Sequence, residues 1–65
     1  MSLCYKLLFE FTNGSTPCKT HLLRRYGEKI LIEHVLNGYI VEIGSNTAGE
    51  TIYAITEKGK HARDD

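Results

Sequence analysis

Turn-forming residues interrupt this sequence so often that no uninterrupted segment exceeds about three turns of helix. "NGSTP", Gly27, Gly38, "GSNTAGE" and Gly59 divide residues 1–65 into short pieces, without repeats or a linker. A chain punctuated this way must pack several small elements around one core, as a single domain. At 65 residues such a core buries only about 60 per cent of the unfolded surface, so stability is thin and a partner adds to it.

The pieces differ in pattern. Tyr39 to Ile43 and Thr51 to Ile55 are rich in β-branched and aromatic residues and bounded by glycines, which predicts two strands. The intervening "GSNTAGE" has no apolar period and favours a turn, making an antiparallel hairpin. "SLCYKLLFEFTN" is ambiguous: Leu3, Tyr5, Leu7, Phe9 and Phe11 alternate as in a strand, while Leu3, Cys4, Leu7, Leu8 and Phe11 form a helical stripe. Helix is the assignment taken, with Ser2 as N-cap, Lys6 and Glu10 adjacent at i, i+4, and "NG" as the stop. Tyr5 and Phe9 then form a second stripe off the main face, which either meets the hairpin or awaits another subunit.

Thr16 followed by Pro17 has the chemistry of an N-cap and first helical residue, opening a second helix that ends at Gly27. Cys18, Leu22, Leu23 and Tyr26 share its inner side; Thr20, His21, Arg24 and Arg25 make a cationic outer side. In "EKILIEHVLN", Leu31, Ile32, Val35 and Leu36 fall in one stripe and predict the buried face of a third helix, with Gly38 as C-cap. The opposite face holds Lys29, Ile30, Glu33, His34 and Asn37, where Ile30 is a misfit. Thr56 caps a last helix over "EKGKHARDD", which Gly59 weakens so that its end frays.

Composition narrows the function classes. Eight basic side chains balance eight acidic ones and 42% of residues are hydrophobic, which argues against disorder and against a strongly basic polyanion binder. The longest apolar stretch is far short of a membrane span and no export leader precedes it, so a cytoplasmic location with Cys4 and Cys18 reduced is expected. Cys18 and His21 have a C-x-x-H spacing without a second ligand pair, so no metal or other cofactor is expected. No nucleophile-and-base motif, paired carboxylates or phosphate loop is present, and an enzyme is not expected.

The element order, with "VLNGYI" opening the first strand and "YAITEKGK" closing the second, resembles the winged helix-turn-helix family. Leu36, Gly38, Tyr39 and Ile40 match the family's end of the recognition helix, and Tyr53, Thr56 and Gly59 its Y-x-x-T-x-x-G segment. The resemblance implies an α+β small winged helix: a three-helix core followed by a two-stranded antiparallel β-hairpin, the wing, and a short C-terminal helical tail. It further implies a transcription regulator binding double-stranded DNA, with the third helix in the major groove. On that expectation Lys29 reaches guanine or phosphate, Asn37 an adenine edge, Ile30 a thymine methyl, and protonated His34 adds a donor. Lys19, Thr20, Arg24 and Arg25 on the second helix face phosphates, joined by Lys58, Lys60 and Arg63 if the tail lies alongside. The wing loop "SNTAGE" has no Lys or Arg and leaves neutral hydrogen bonds, from Asn46 among others.

The alternative is a winged-helix interaction module that docks a protein, or a second copy of itself, through Ile30, Tyr5, Phe9 or the hairpin's outer face. Apolar residues on both sides of the hairpin favour a homodimer, which is compatible with DNA binding to paired half-sites.

Overall fold

The computed structural model describes residues 3–64; the Ser2 cap expectation lies outside them. Four helices and one hairpin follow in order: α1 Tyr5–Phe9, a 3-10 turn Thr12–Gly14, α2 Lys19–Tyr26, α3 Glu28–Leu36, β1 Ile40–Ser45, β2 Thr51–Ile55 and α4 Glu57–Asp64. The core is Leu7, Leu8 and Phe11 from the first segment, Leu22 of α2, Leu31 of α3, and Ile40 and Tyr53 of the strands.

The first segment is helical, with Leu7, Leu8 and Phe11 buried and Tyr5 and Phe9 exposed, as its helical stripe requires. The α-helix is shorter than expected, because backbone N–H groups of Glu10 and Phe11 bond to carbonyls three residues back. Asn13 at φ 57° and Gly14 at φ 76° then reverse the chain. Glu10 does not pair with Lys6. Its carboxylate turns to α2, where it accepts from Tyr26 Oη at 2.7 Å and meets His21 Nε2 at 3.2 Å and Arg25 Nε at 3.3 Å.

α2 begins two residues later than its Thr16-Pro17 signal. The Pro17 carbonyl accepts from the Tyr53 amide at 3.1 Å, and Cys18 bridges antiparallel to Ile52. Pairing with β2 thus holds Pro17 and Cys18 extended, and Cys18 takes the N-cap position without a side-chain cap. β2 pairs with β1 in a two-stranded sheet, and its other edge carries this isolated bridge.

α3 has the largest departure. Leu31 is buried as expected, but Ile32 is 45% exposed, Val35 36% and Leu36 79%, while His34 is fully buried. Ile30 packs half-buried against the core. The helix is turned so that Ile30, Leu31 and His34 face inward. The physical reason lies in His34: the Cys4 amide can only donate and the Ile30 carbonyl can only accept. Nε2 therefore accepts from Cys4 N at 3.1 Å, and Nδ1–H donates to Ile30 O at 2.8 Å. A neutral imidazole with both nitrogens satisfied fits the interior, whereas a hydropathy pattern places it outside. One consequence is that Leu36→Ala should change the unfolding free energy of the single chain, measured in urea at high dilution, by less than about 0.5 kcal/mol, as at an open surface site.

Gly38 ends α3 as expected. At φ 78° its amide bonds to the Val35 carbonyl, and the Tyr39 amide to the His34 carbonyl, both at 3.0 Å. The Tyr39 ring stacks, tilted, 5.7 Å from the His34 ring, supplying the side-chain contact that accompanies this closure. The hairpin pairs Ile40 with Ile55 through Ser45 with Thr51, and a bulge between Glu42 and Gly44 leaves Ile43 as the extra residue.

Thr56 caps α4: its hydroxyl accepts from the Gly59 amide at 3.0 Å and faces the Gly38 and Tyr39 carbonyls. Gly59 has a role other than weakening the helix. It is buried, and a Cβ there would overlap the Tyr39 carbonyl oxygen and come within 2.7 Å of Ile55 Cγ1. The absence of a side chain lets α4 lie against the start of β1.

Candidate functional site

α2 and α3 are joined by Gly27 alone, at φ 92°, in helix-turn-helix order. Between them and the hairpin lies an open groove of about 350 Å³, with Leu23, Leu31 and Tyr53 at its base, Ile32, Val35 and Leu36 along the α3 side, and Lys19 and Glu28 also lining it. Three of these aliphatic side chains are exposed, and Val41 and Ile43 of β1 are also exposed, at 45% and 50%. The outer face of α3 is therefore apolar where it is most accessible.

The residues expected to touch DNA divide into those that face solvent and those that do not. Lys19, Thr20, Arg24 and Lys29 are exposed and have no side-chain partner among the described residues. Arg25 is exposed but lies over the Tyr26 ring at 5.9 Å and pairs with Glu10, which directs it toward α1. Ile30 and His34 are turned into the molecule and cannot reach a base edge, for the reason given above. Asn37 donates its side-chain NH₂ to Glu33 O at 2.7 Å, and its backbone carbonyl accepts from Lys58 Nζ at 2.7 Å, so the side chain is drawn back onto its own helix. Asn46 is exposed at the hairpin tip, and its Oδ1 accepts from the amides of Ala48 and Glu50 at 2.9 and 3.0 Å. It shapes the turn and leaves only its NH₂ free.

The basic residues of α4 do not join those of α2. α4 packs on α1 and β2; Lys58 covers the Tyr39 ring at 5.1 Å, Lys60 pairs with Glu57 and Arg63 with Asp64. Cys4 and Cys18 are half-buried free thiols. Among the described residues there is no group of three or more His, Cys, Asp or Glu able to hold a metal, and no helix long and apolar enough to cross a membrane.

The Glu10 cluster locks α1 to α2. The hydrogen bond from Tyr26 holds the Glu10 carboxyl below its ordinary range against opposing burial, with His21 and Arg25 adding to the effect. Burial first, then Glu10, push the Tyr26 phenol up to about 12. The lowered carboxyl contributes stability above pH 4.5, its ordinary value, that is lost as pH falls through the folded value. The raised phenol contributes stability below pH 10.0, its ordinary value, that is lost as pH rises through about 12. The contributions of these two groups are thus both fully present between those limits. Tyr26→Phe should lower unfolding free energy at neutral pH by about 1 to 2 kcal/mol and abolish the phenol's share of the alkaline loss, measured by urea unfolding across pH.

Compared with family models, curated proteins and solved structures, the chain matches none of them.

Proposed function

We propose that this chain is a winged-helix domain that acts by protein association, pairing with a second copy of itself through the outer face of α3. The observation that carries the reading is the exposure of Ile32, Val35 and Leu36 beside the groove. A contiguous apolar face is costly to leave in water and is the usual mark of a docking surface. A second copy suits it because Lys19 and Glu28 line the same groove. With one charge of each sign on the same face, a two-fold interface can set unlike charges against each other, and it makes each contact twice. A standard interface of about 800 Å² per partner would cover close to a fifth of the 4198 Å² surface, a large addition to a small core.

The winged-helix reading is supported by the Cys18–Ile52 bridge ahead of α2, the one-residue turn between α2 and α3, and the hairpin that follows. The physical roles found for Tyr53, Thr56 and Gly59 also agree with their matched motif: core residue, helix cap and close approach. DNA binding is the second reading, favoured by the unpartnered Lys19, Thr20, Arg24 and Lys29. Glu28 and Glu33 on α3, the absence of Lys and Arg from the hairpin tip, and zero net charge count against it.

Titrating random-sequence duplex DNA by fluorescence anisotropy at about 50 and then 200 mM salt separates the readings. Association through α3 predicts no saturable binding at the lower salt with the protein folded. Saturable binding that weakens steeply with salt and is lost in Arg24→Ala would favour DNA instead. Leu36→Glu, which places a charge on the apolar face, should weaken self-association by at least about tenfold without lowering thermal stability of the monomer.

A further inference from the structure

On the side of the molecule formed by α4, a second cavity of about 300 Å³ lies between the reversed turn after α1, the end of β2 and α4. Its lining divides by chemistry. Phe11, Ala54 and Ile55 give an apolar floor, and Asn13, Ser15 and Thr16 line the turn side. Lys60 and Arg63, one helical turn apart on α4, supply two cations.

The polar groups have capacity left. The side chains of Asn13, Ser15 and Thr16 make no hydrogen bond among the described residues. The Arg63 side chain is only 15% exposed, yet its one ion pair among the described residues runs from Nε to the neighbouring Asp64 at 3.0 Å, which leaves both Nη groups for another acceptor among them. Lys60 meets Glu57 at 3.6 Å, and that carboxylate is 83% exposed. A surface pair of this kind contributes little and yields readily to a better acceptor. The carboxylates near the cations are thus Glu57 and Asp64, each on the α4 backbone rather than across the cavity.

We propose that this cavity binds a small organic oxyanion, a phosphate monoester or carboxylate whose apolar group rests on Phe11 and Ile55. The anionic oxygens meet Arg63 Nη and Lys60 Nζ, and the Ser15 and Thr16 hydroxyls donate to the remaining lone pairs. Charge-assisted bonds to a planar guanidinium supply orientation as well as attraction. The site is independent of the α3 face, so each can fail without the other.

Calorimetric titration with phenyl phosphate and, separately, benzoate tests the assignment, with phenol as the uncharged control. One ligand per chain is expected for at least one of the two anions, with a dissociation constant below about 10 mM and none for phenol. Lys60→Gln, at an exposed position, should raise that constant at least about fivefold without moving the melting temperature, because a charge-assisted bond is lost. Arg24→Gln on α2 should leave it unchanged. The tighter of the two anions identifies the headgroup. Failure of both anions to saturate, or equal binding by wild type and Lys60→Gln, would overturn the proposal.

Discussion

Gly59→Ala is expected to lower unfolding free energy by about 3 kcal/mol or more, enough to unfold much of a chain this small. The cause is steric: the new Cβ overlaps the Tyr39 carbonyl oxygen and presses on Ile55 Cγ1. Neither can yield cheaply. The Tyr39 carbonyl accepts from the Thr56 amide, and its residue closes the end of α3. Relief requires α4 to move off the hairpin, which breaks the Thr56 cap. Alanine is otherwise the better helix former by about 1 kcal/mol, so an increase in helix stability is what propensity alone would give. Circular dichroism under urea decides the sign; a variant as stable as wild type would mean that α4 does not lie against Tyr39.

His34→Ala is expected to cost roughly 3 kcal/mol, combining a cavity in the core with an orphaned Cys4 amide. His34→Phe separates the two contributions, because it keeps the ring volume and Tyr39 contact but removes the acceptor for Cys4. It should recover the packing share and leave a deficit of about 1 to 2 kcal/mol from the unpaired amide. Neutral effects in both variants would return His34 to the surface and restore the α3 phase that hydropathy predicts.

How much of this was legible in the sequence depends on the kind of signal. Glycines that need positive φ were legible: Gly38 ends α3 through two backbone bonds that an L side chain strains. Thr56 was legible as a cap because its hydroxyl acts within three residues. The strand pair and its loop followed from β-branched runs around "GSNTAGE", although the bulge at Ile43 did not, since no local residue requires it. Contacts distant in sequence were not legible. Thr16 and Pro17 carry a helix-start signal that pairing of Pro17 and Cys18 with β2 overrides, and Glu10 finds Tyr26 across sixteen residues in preference to Lys6 on its own helix.

The phase of α3 shows why the candidate site moved. Ile30, Leu31, Ile32, Val35 and Leu36 give this helix apolar residues around most of its circumference, so hydropathy alone cannot decide which arc is inside. His34 decides it, through a backbone amide thirty residues away. The signal that was present was the misfit at Ile30: an apolar residue on a supposed outer face, one turn before a histidine able to bond its carbonyl. Taken together, those two residues favour the opposite phase and release Ile32, Val35 and Leu36 to the surface. Two expected base readers, Ile30 and His34, thereby turned inward, and three expected core residues, Ile32, Val35 and Leu36, turned to the surface.

Sedimentation equilibrium over a concentration series tests that face most directly, with wild type, Leu36→Glu and, as a control on the separate aromatic stripe of α1, Phe9→Glu. The wild-type mass should rise from monomer to dimer, Phe9→Glu should behave as wild type, and Leu36→Glu should stay a monomer throughout. A wild-type protein that stays monomeric at about millimolar concentration, where even weak pairs associate, would contradict association through α3. So would a dimer indifferent to Leu36.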